Sequence, residues 1–143
     1  MARGGSTTTR TNAKLNGGGK ISATSAGTLV QLIADAVLAA VSGARFHLEG
    51  FKIQNIGATA WSGGSGTVLY IKDSSNVLYA TIAVSALTAN CVVYPNSTGV
   101  TLNANYTDDV GATLAKGMKV IADANFGAGS DLVVDIWGRY EFN

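Results

Sequence analysis

Residues 117–143 read GMKVIADANFGAGSDLVVDIWGRYEFN. Apolar and polar residues alternate on both sides of Gly127-Ala128-Gly129-Ser130, the period of two that marks strands with one buried face. The pattern predicts two strands, Gly117 to Ala124 and Ser130 to Phe142, closing the chain as a hairpin about that glycine-containing turn. A strand this near the end of the sequence must be tied into a sheet, because a free edge offers its backbone to other chains.

The stretch upstream has the same character. Thr67 to Asp73 and Val77 to Val84 form the best hairpin signal, with Asp73-Ser74-Ser75-Asn76 as the turn. Phe46 to Ile56 alternates too, but its parity switches at Gly50, which predicts a β-bulge there. Gly57 to Gly66 is a loop containing Trp61. Thr88 to Tyr94 is a further strand, ended by Pro95-Asn96-Ser97, and residues 96–116 form a long polar loop with a short apolar piece, Val100 to Leu102. Seven or eight short strands with no long helix after residue 43 imply an all-β antiparallel sandwich or barrel.

Residues 28–43 carry two signals. Thr28 and Gln31 fit a capping box, with Leu29, Leu32, Ile33, Ala36, Val37, Ala40 and Val41 at helical spacing and Gly43 as a stop. The competing reading is a buried strand from Leu29 to Ala34 followed by a connector; the local signals favour the helix. Residues 1–27 are Gly, Ser, Thr, Ala and Asn with few large apolar groups. Ordering them costs roughly 1–2 kcal/mol each in backbone entropy with little burial in return, so this segment is expected to be a flexible arm preceding a folded domain at 28–143. Such an arm orders when a partner supplies the missing contacts.

Of the 143 residues, ten are Lys or Arg and nine Asp or Glu, for a net charge of +1. The charges are uneven. Residues 1–34 hold Arg3, Arg10, Lys14 and Lys20 and no acid, so +4; the remainder holds six bases and nine acids, so −3. A basic arm on an acidic body points the arm at a different surface from the one the body shows to solvent. Arg3, Arg10, Lys14 and Lys20 are therefore the candidate contacts to an acidic partner. Trp61, in its glycine-rich loop, is the candidate exposed contact. The acidic body argues against nucleic acid as a partner. The apolar run from Leu29 to Val41 is too short for a membrane span and is broken by Gln31 and Asp35.

No catalytic constellation emerges. His47 is the single histidine and has no carboxylate cluster at short spacing. Asp108-Asp109 after Asn103 and Asn105 lacks the spaced ligands of a calcium loop. Gly17-Gly18-Gly19-Lys20 is followed by Ile21 and lacks the spacing of a phosphate loop. Cys91, the single cysteine, has no thiolate-stabilising neighbour in sequence and reads as a small hydrophobe in a reducing compartment. Asn96-Ser97-Thr98 and Asn105-Tyr106-Thr107 match the glycosylation sequon without a secretory signal. The expectation is a non-enzyme with no cofactor, metal or small-molecule substrate.

The order of Gly27-Thr28-Leu29-Val30, Arg45 to Asn55, Val68 to Asp73, Val77 to Val84, a late GMKV strand and the terminal SDLVVDIWGRYEF strand resembles the small jelly-roll proteins of tailed bacteriophages, in particular their capsid decoration (cement) proteins. The resemblance spans about residues 27–142. It implies a jelly-roll β-sandwich, a homotrimer and the major capsid protein as partner. It also implies a place on the outer capsid surface of the virion after assembly in the host cytoplasm, no active site, and a strand rather than a helix at residues 28–34, with Ala36 to Ser42 as an extra piece. Related jelly rolls serve in phage tails and fibres. The alternative expectation is thus a trimeric tail or fibre tip that binds a host receptor or glycan through the 57–66 and 96–116 loops.

Overall fold

The computed structural model describes residues 12–34, 45–108 and 117–141. Within them the chain is an antiparallel β-sandwich with almost no helix. Its strands are β1 (Asn12–Ile21), β2 (Val30–Ile33), β3 (Arg45–Asn55), β4 (Val68–Asp73), β5 (Leu78–Ala83), β6 (Val92–Val93), β7 (Val100–Leu102), β8 (Met118–Ala122) and β9 (Leu132–Glu141). One sheet has four strands in the order β1-β9-β3-β6, the other five in the order β2-β8-β4-β5-β7. A five-residue helix, α1 (Ala104–Asp108), is joined by 3-10 turns at Ala23–Ser25 and Val84–Ala86.

The pairing is nested. β1 pairs with β9, β2 with β8, β3 with β6 and β4 with β5, all antiparallel. Only β7, added outside β5, stands apart from this scheme. Successive nested pairs fall alternately in the two sheets, so the folded-back ribbon winds around one core. Strand alternation fills that core. Leu132, Val134 and Ile136 of β9 and Phe51 and Ile53 of the neighbouring β3 form the core side of one sheet, and Leu69 and Ile71 of β4 and Met118 and Val120 of β8 that of the other; all are buried. By area bookkeeping each such side chain contributes about 1.5–3 kcal/mol.

Several expectations hold. The hairpin at Asp73-Ser74-Ser75-Asn76 forms because the Asp73 carboxylate accepts hydrogen bonds from the backbone N–H groups of Ser75 (2.8 Å) and Val77 (2.9 Å), while Asn76 takes a left-handed conformation with φ 68°. The bulge is also present. Trp137 pairs with Gly50 and Gly138 with Leu48, which leaves Glu49 as the extra residue. Residues 30–33 are a strand, as the resemblance implied; Ala36 to Ser42 lie outside the described residues.

Three expectations need correction. First, the two closing strands do not form a hairpin. β8 pairs with β2 and β4, and β9 with β1 and β3. Both strands have an apolar inner face, and they bury these faces across the core instead of lying side by side. Residues 123–131 are a crossover between sheets. Second, the arm does not run to residue 27. β1 pairs with β9 over ten residues, from Asn12 opposite Glu141 to Ile21 opposite Leu132, and Ile21, Ala23 and Ala26 are buried. Backbone ladder bonds, which a count of large side chains overlooks, offset the ordering cost. The glycines assist: a Cβ on Gly17 would lie 2.3 Å from the Leu32 carbonyl oxygen, so only glycine lets β1 sit this close to β2. The domain therefore begins by Asn12 in place of Thr28. Third, the strand expected from Thr88 to Tyr94 shrinks to Val92–Val93, because Thr88 to Cys91 turn, with Asn90 at φ 53°.

Candidate interaction surfaces

Arg3 and Arg10 lie outside the described residues. Lys14 falls in β1 opposite Arg139. Lys20 sits near the other end of β1 with its side chain 63% exposed, 3.4 Å from the Asp131 carboxylate. An exposed pair of this kind contributes at most about 1 kcal/mol. Two of the four basic candidates thus belong to the sandwich itself, and Lys20 already has an acid of its own chain beside it.

Trp61 is not the exposed contact expected. It is 3% exposed, its ring centroid is 5.0 Å from that of Phe126, and its indole N–H donates to the Ser130 carbonyl at 2.6 Å. Its loop folds onto the 123–131 crossover. Ser62 bridges to Ala128, and the Gly66 N–H donates to the Asn125 carbonyl at 3.1 Å. A large aromatic group in a glycine-rich loop can be covered whenever a second loop reaches it, and spacing alone does not reveal that loop. Sequence reasoning also missed Asn55. This buried side chain donates to the carbonyls of Thr59 (2.9 Å) and Thr88 (3.0 Å) and accepts from the Gly57 N–H (3.0 Å), tying the 57–66 loop to the 88–91 turn. Its signal was an amide at a core-facing strand position just before Ile56-Gly57.

The groups with chemical potential are placed structurally. His47 is buried in β3. Cys91 is a half-buried free thiol packed against the core. Asn105 donates to Asn103 Oδ1 (2.9 Å) and to the Leu78 carbonyl (3.1 Å), steadying the start of α1, whereas Asp109 lies outside the described residues. Burial alone would raise the Asp123 pKa, but hydrogen bonds from the Thr67 hydroxyl and from the Thr67, Val68 and Ala124 N–H groups outweigh it and hold the carboxyl below its ordinary value. Tyr106 donates to the Glu49 carbonyl at 2.9 Å; burial first, and the negative charge of Glu49 second, raise its pKa. Among the described residues no three His, Cys, Asp or Glu side chains are grouped to hold a metal ion, and no pocket opens.

The outer face of the four-stranded sheet is the main apolar surface. Alternation puts Val133, Asp135, Trp137 and Arg139 of β9 on that side, with Lys52 and Gln54 of β3 and Val92 of β6 in register beside them. Ile56 and Tyr94 continue the same parity. Trp137 is 37% exposed, Val92 43%, Tyr94 44% and Ile56 52%. The Trp137 indole lies on the backbone of Gly50, where a Cβ would sit 2.5 Å from its Cε2 and Cζ2 atoms. Charged groups flank the ring: Asp135 is opposite Lys52, and Arg139 lies 3.8 Å from Glu49. The five-stranded sheet instead shows Tyr70 on its outer side, with the Lys72 ammonium 4.5 Å from the ring centre.

No protein-family model and no curated protein matches the chain by sequence. Among solved structures the fold is similar to a chain of the capsid asymmetric unit of cyanophage Pam1. That likeness has a TM-score of 0.50 and 10% identity, and covers 100% of this chain and 93% of that one.

Proposed function

We propose that this chain is a non-enzymatic structural protein of a bacteriophage head, a jelly-roll decoration protein that binds the major capsid protein on the outer surface as a homotrimer and stabilises the shell. The observation that carries the reading is the end-to-end likeness to a chain of a phage capsid asymmetric unit. The nested antiparallel pairing of β1–β9, β2–β8, β3–β6 and β4–β5 supports the jelly-roll part of the reading. So does the sequence resemblance to phage cement proteins.

The mechanism is mass action. A protein that binds only the assembled lattice stabilises it by RT ln(1 + [L]/Kd), about 2.7 kcal/mol per site at a hundredfold excess over Kd. Three linked copies raise the effective concentration of each for its site. The sandwich incorporates Lys14 and Lys20, so Arg3 and Arg10 are the basic groups left to a leading segment that meets an acidic capsid surface. The tail-tip alternative loses Trp61 as its contact, because that side chain is buried, while Ala58 to Ala60 and Ser62 to Ser65 of the same loop stay exposed. The test is to add the protein to heads that lack it and to follow binding and heat release of the genome. Decorated heads are expected to survive to a higher temperature; equal survival, or no binding, refutes the proposal.

A further inference from the structure

We infer that Trp137 and the polar side chains around it, on the outer face of the four-stranded sheet, bind a saccharide. The inference goes beyond capsid attachment and does not depend on it.

The indole is held flat. A Cβ on Gly50 would lie 2.5 Å from Cε2, 2.5 Å from Cζ2 and 2.7 Å from Nε1 of Trp137. Near-equal distances to three neighbouring ring atoms place that point over the ring face and not at its edge. One face of the indole therefore rests on the Gly50 backbone and the other is turned outward, with Trp137 37% exposed. The face of an aromatic ring is its negative side. The C–H bonds of a pyranose present a flat, apolar and weakly positive surface to it. Because the sheet already fixes the ring, little side-chain entropy remains to be lost on stacking.

The neighbours supply the polar half of the site. Asp135 and Arg139 lie on the same face of β9, two residues either side of Trp137 and so about 7 Å from it. Lys52 is opposite Asp135, Glu49 is 3.8 Å from Arg139, and Asn16 of β1 is opposite Trp137. Each end of the ring thus has one carboxylate and one cation, with an amide alongside. Sugar hydroxyls both donate and accept hydrogen bonds, so they match both members of each pair. A nucleotide stacked on the same ring would bring its phosphate towards Asp135 or Glu49 whichever way it lay.

Size separates a saccharide from a protein partner. A large aromatic side chain presents about 150–250 Å², so the open part of Trp137 is below about 100 Å². Asp135 and Lys52 separate its row from that of Val133, Gln54 and Val92, and the apolar surface does not continue past them. A specific protein interface buries about 800 Å² on each partner. A lone ring among hydrogen-bonding groups has instead the dimensions of one sugar unit.

The experiment screens the full chain on a printed array of neutral and acidic oligosaccharides, with oligo-dT and a proline-rich peptide printed beside them. The best soluble saccharide is then titrated while acrylamide quenches tryptophan fluorescence. The chain has two tryptophans, and Trp61 is buried, so quenching reads Trp137. The saccharide is expected to bind and to shield that ring. Trp137→Ala is expected to weaken binding at least about tenfold, equivalent to ~1.4 kcal/mol. Asp135→Ala, which alters an exposed side chain, is expected to weaken it at least about twofold, the lower end for one hydrogen bond. Ile56→Glu, on the same sheet but away from the ring, should leave it unchanged. Circular dichroism establishes that each variant is folded. Failure to bind any saccharide on the array overturns the inference, as does binding that survives both Trp137→Ala and Asp135→Ala. Tighter binding of oligo-dT or the peptide than of every saccharide overturns it too.

Discussion

Gly17→Ala separates a β1 built into the sandwich from a loose leading segment. The new Cβ would lie 2.3 Å from the Leu32 carbonyl oxygen and 2.4 Å from Ile33 Cγ1. The oxygen belongs to the backbone of β2, which is held by its own pairing to β8, so it cannot swing aside as a side-chain tip would. Overpacking of this kind costs about 1–3 kcal/mol. Replacing glycine also restricts the unfolded chain, which returns about 0.4–1 kcal/mol. The net expectation is a destabilisation of roughly 1–2 kcal/mol, or a Tm lower by about 3–8 °C for a domain of this size. Thermal unfolding followed by circular dichroism reads the shift. Hydrogen exchange locates it, since the amides of β9 that face β1 should lose protection before those that face β3. A variant that melts within about 1 °C of the wild type, with unchanged exchange along β9, would show that residues 12–21 do not pack across β2.

Two further outcomes follow from the loops. Trp61→Phe keeps most of the ring contact with Phe126 but strands the Ser130 carbonyl, which now accepts from the indole N–H. A loss of about 1–3 kcal/mol is expected, read as a lower midpoint in urea with an unchanged slope; a shift below about 0.5 kcal/mol would mean that the loop is not fastened there. Acid should release the Asp123 clamp. The Asp123 pKa is lower in the folded chain than in the unfolded one, so its stabilisation is complete above the unfolded value of about 3.9 and is lost as pH falls through the lower folded value. Asp123→Asn should therefore remove part of the acid sensitivity below about pH 4 and leave the neutral-to-alkaline profile unchanged. An acid-unfolding curve identical to the wild type would contradict this.

How much of this was legible in sequence depended on whether local chemistry or a distant neighbour decided the outcome. The β4–β5 hairpin was legible because Asp73 and Asn76 make the turn within their own few residues. The bulge was legible because a switch of parity at Gly50 has few other physical meanings. The partnership of β9 was not: alternation states that a strand has one apolar face and says nothing about which strands lie beside it. The same limit hid β1. Its glycines read as disorder in isolation, yet Gly17 is required by the close approach of β2. Trp61 did not take the exposed role that its glycine-rich loop suggested. The loop tryptophan found a second loop to cover it, while the strand tryptophan, at an outward position, had only Gly50 beneath it.

Incorporating residues 12–21 into the sheet also changes what a leading segment can do. An arm running to residue 27 at about 3.6 Å per residue would let Arg3 reach roughly 90 Å from Thr28, whereas Arg3 and Arg10, nine and two residues before Asn12, stay within about 32 Å of it. The leading stretch starts from a defined corner, because Asn12 is paired with Glu141 at the end of the four-stranded sheet. An acidic surface bound by Arg3 and Arg10 must therefore lie within that distance of the corner. Arg3 and Arg10 are the bases of this leading stretch, while Lys14 and Lys20 are fixed in β1. Screening acts on each exposed contact separately, so the salt sensitivity of attachment should be about half that expected from the whole basic stretch. It should fall to near zero in a chain carrying Arg3→Gln and Arg10→Gln, whereas Lys20→Gln, which disturbs only the pair with Asp131, should leave it unchanged. Equal loss of salt sensitivity from Lys20→Gln would place the capsid contact along β1 itself.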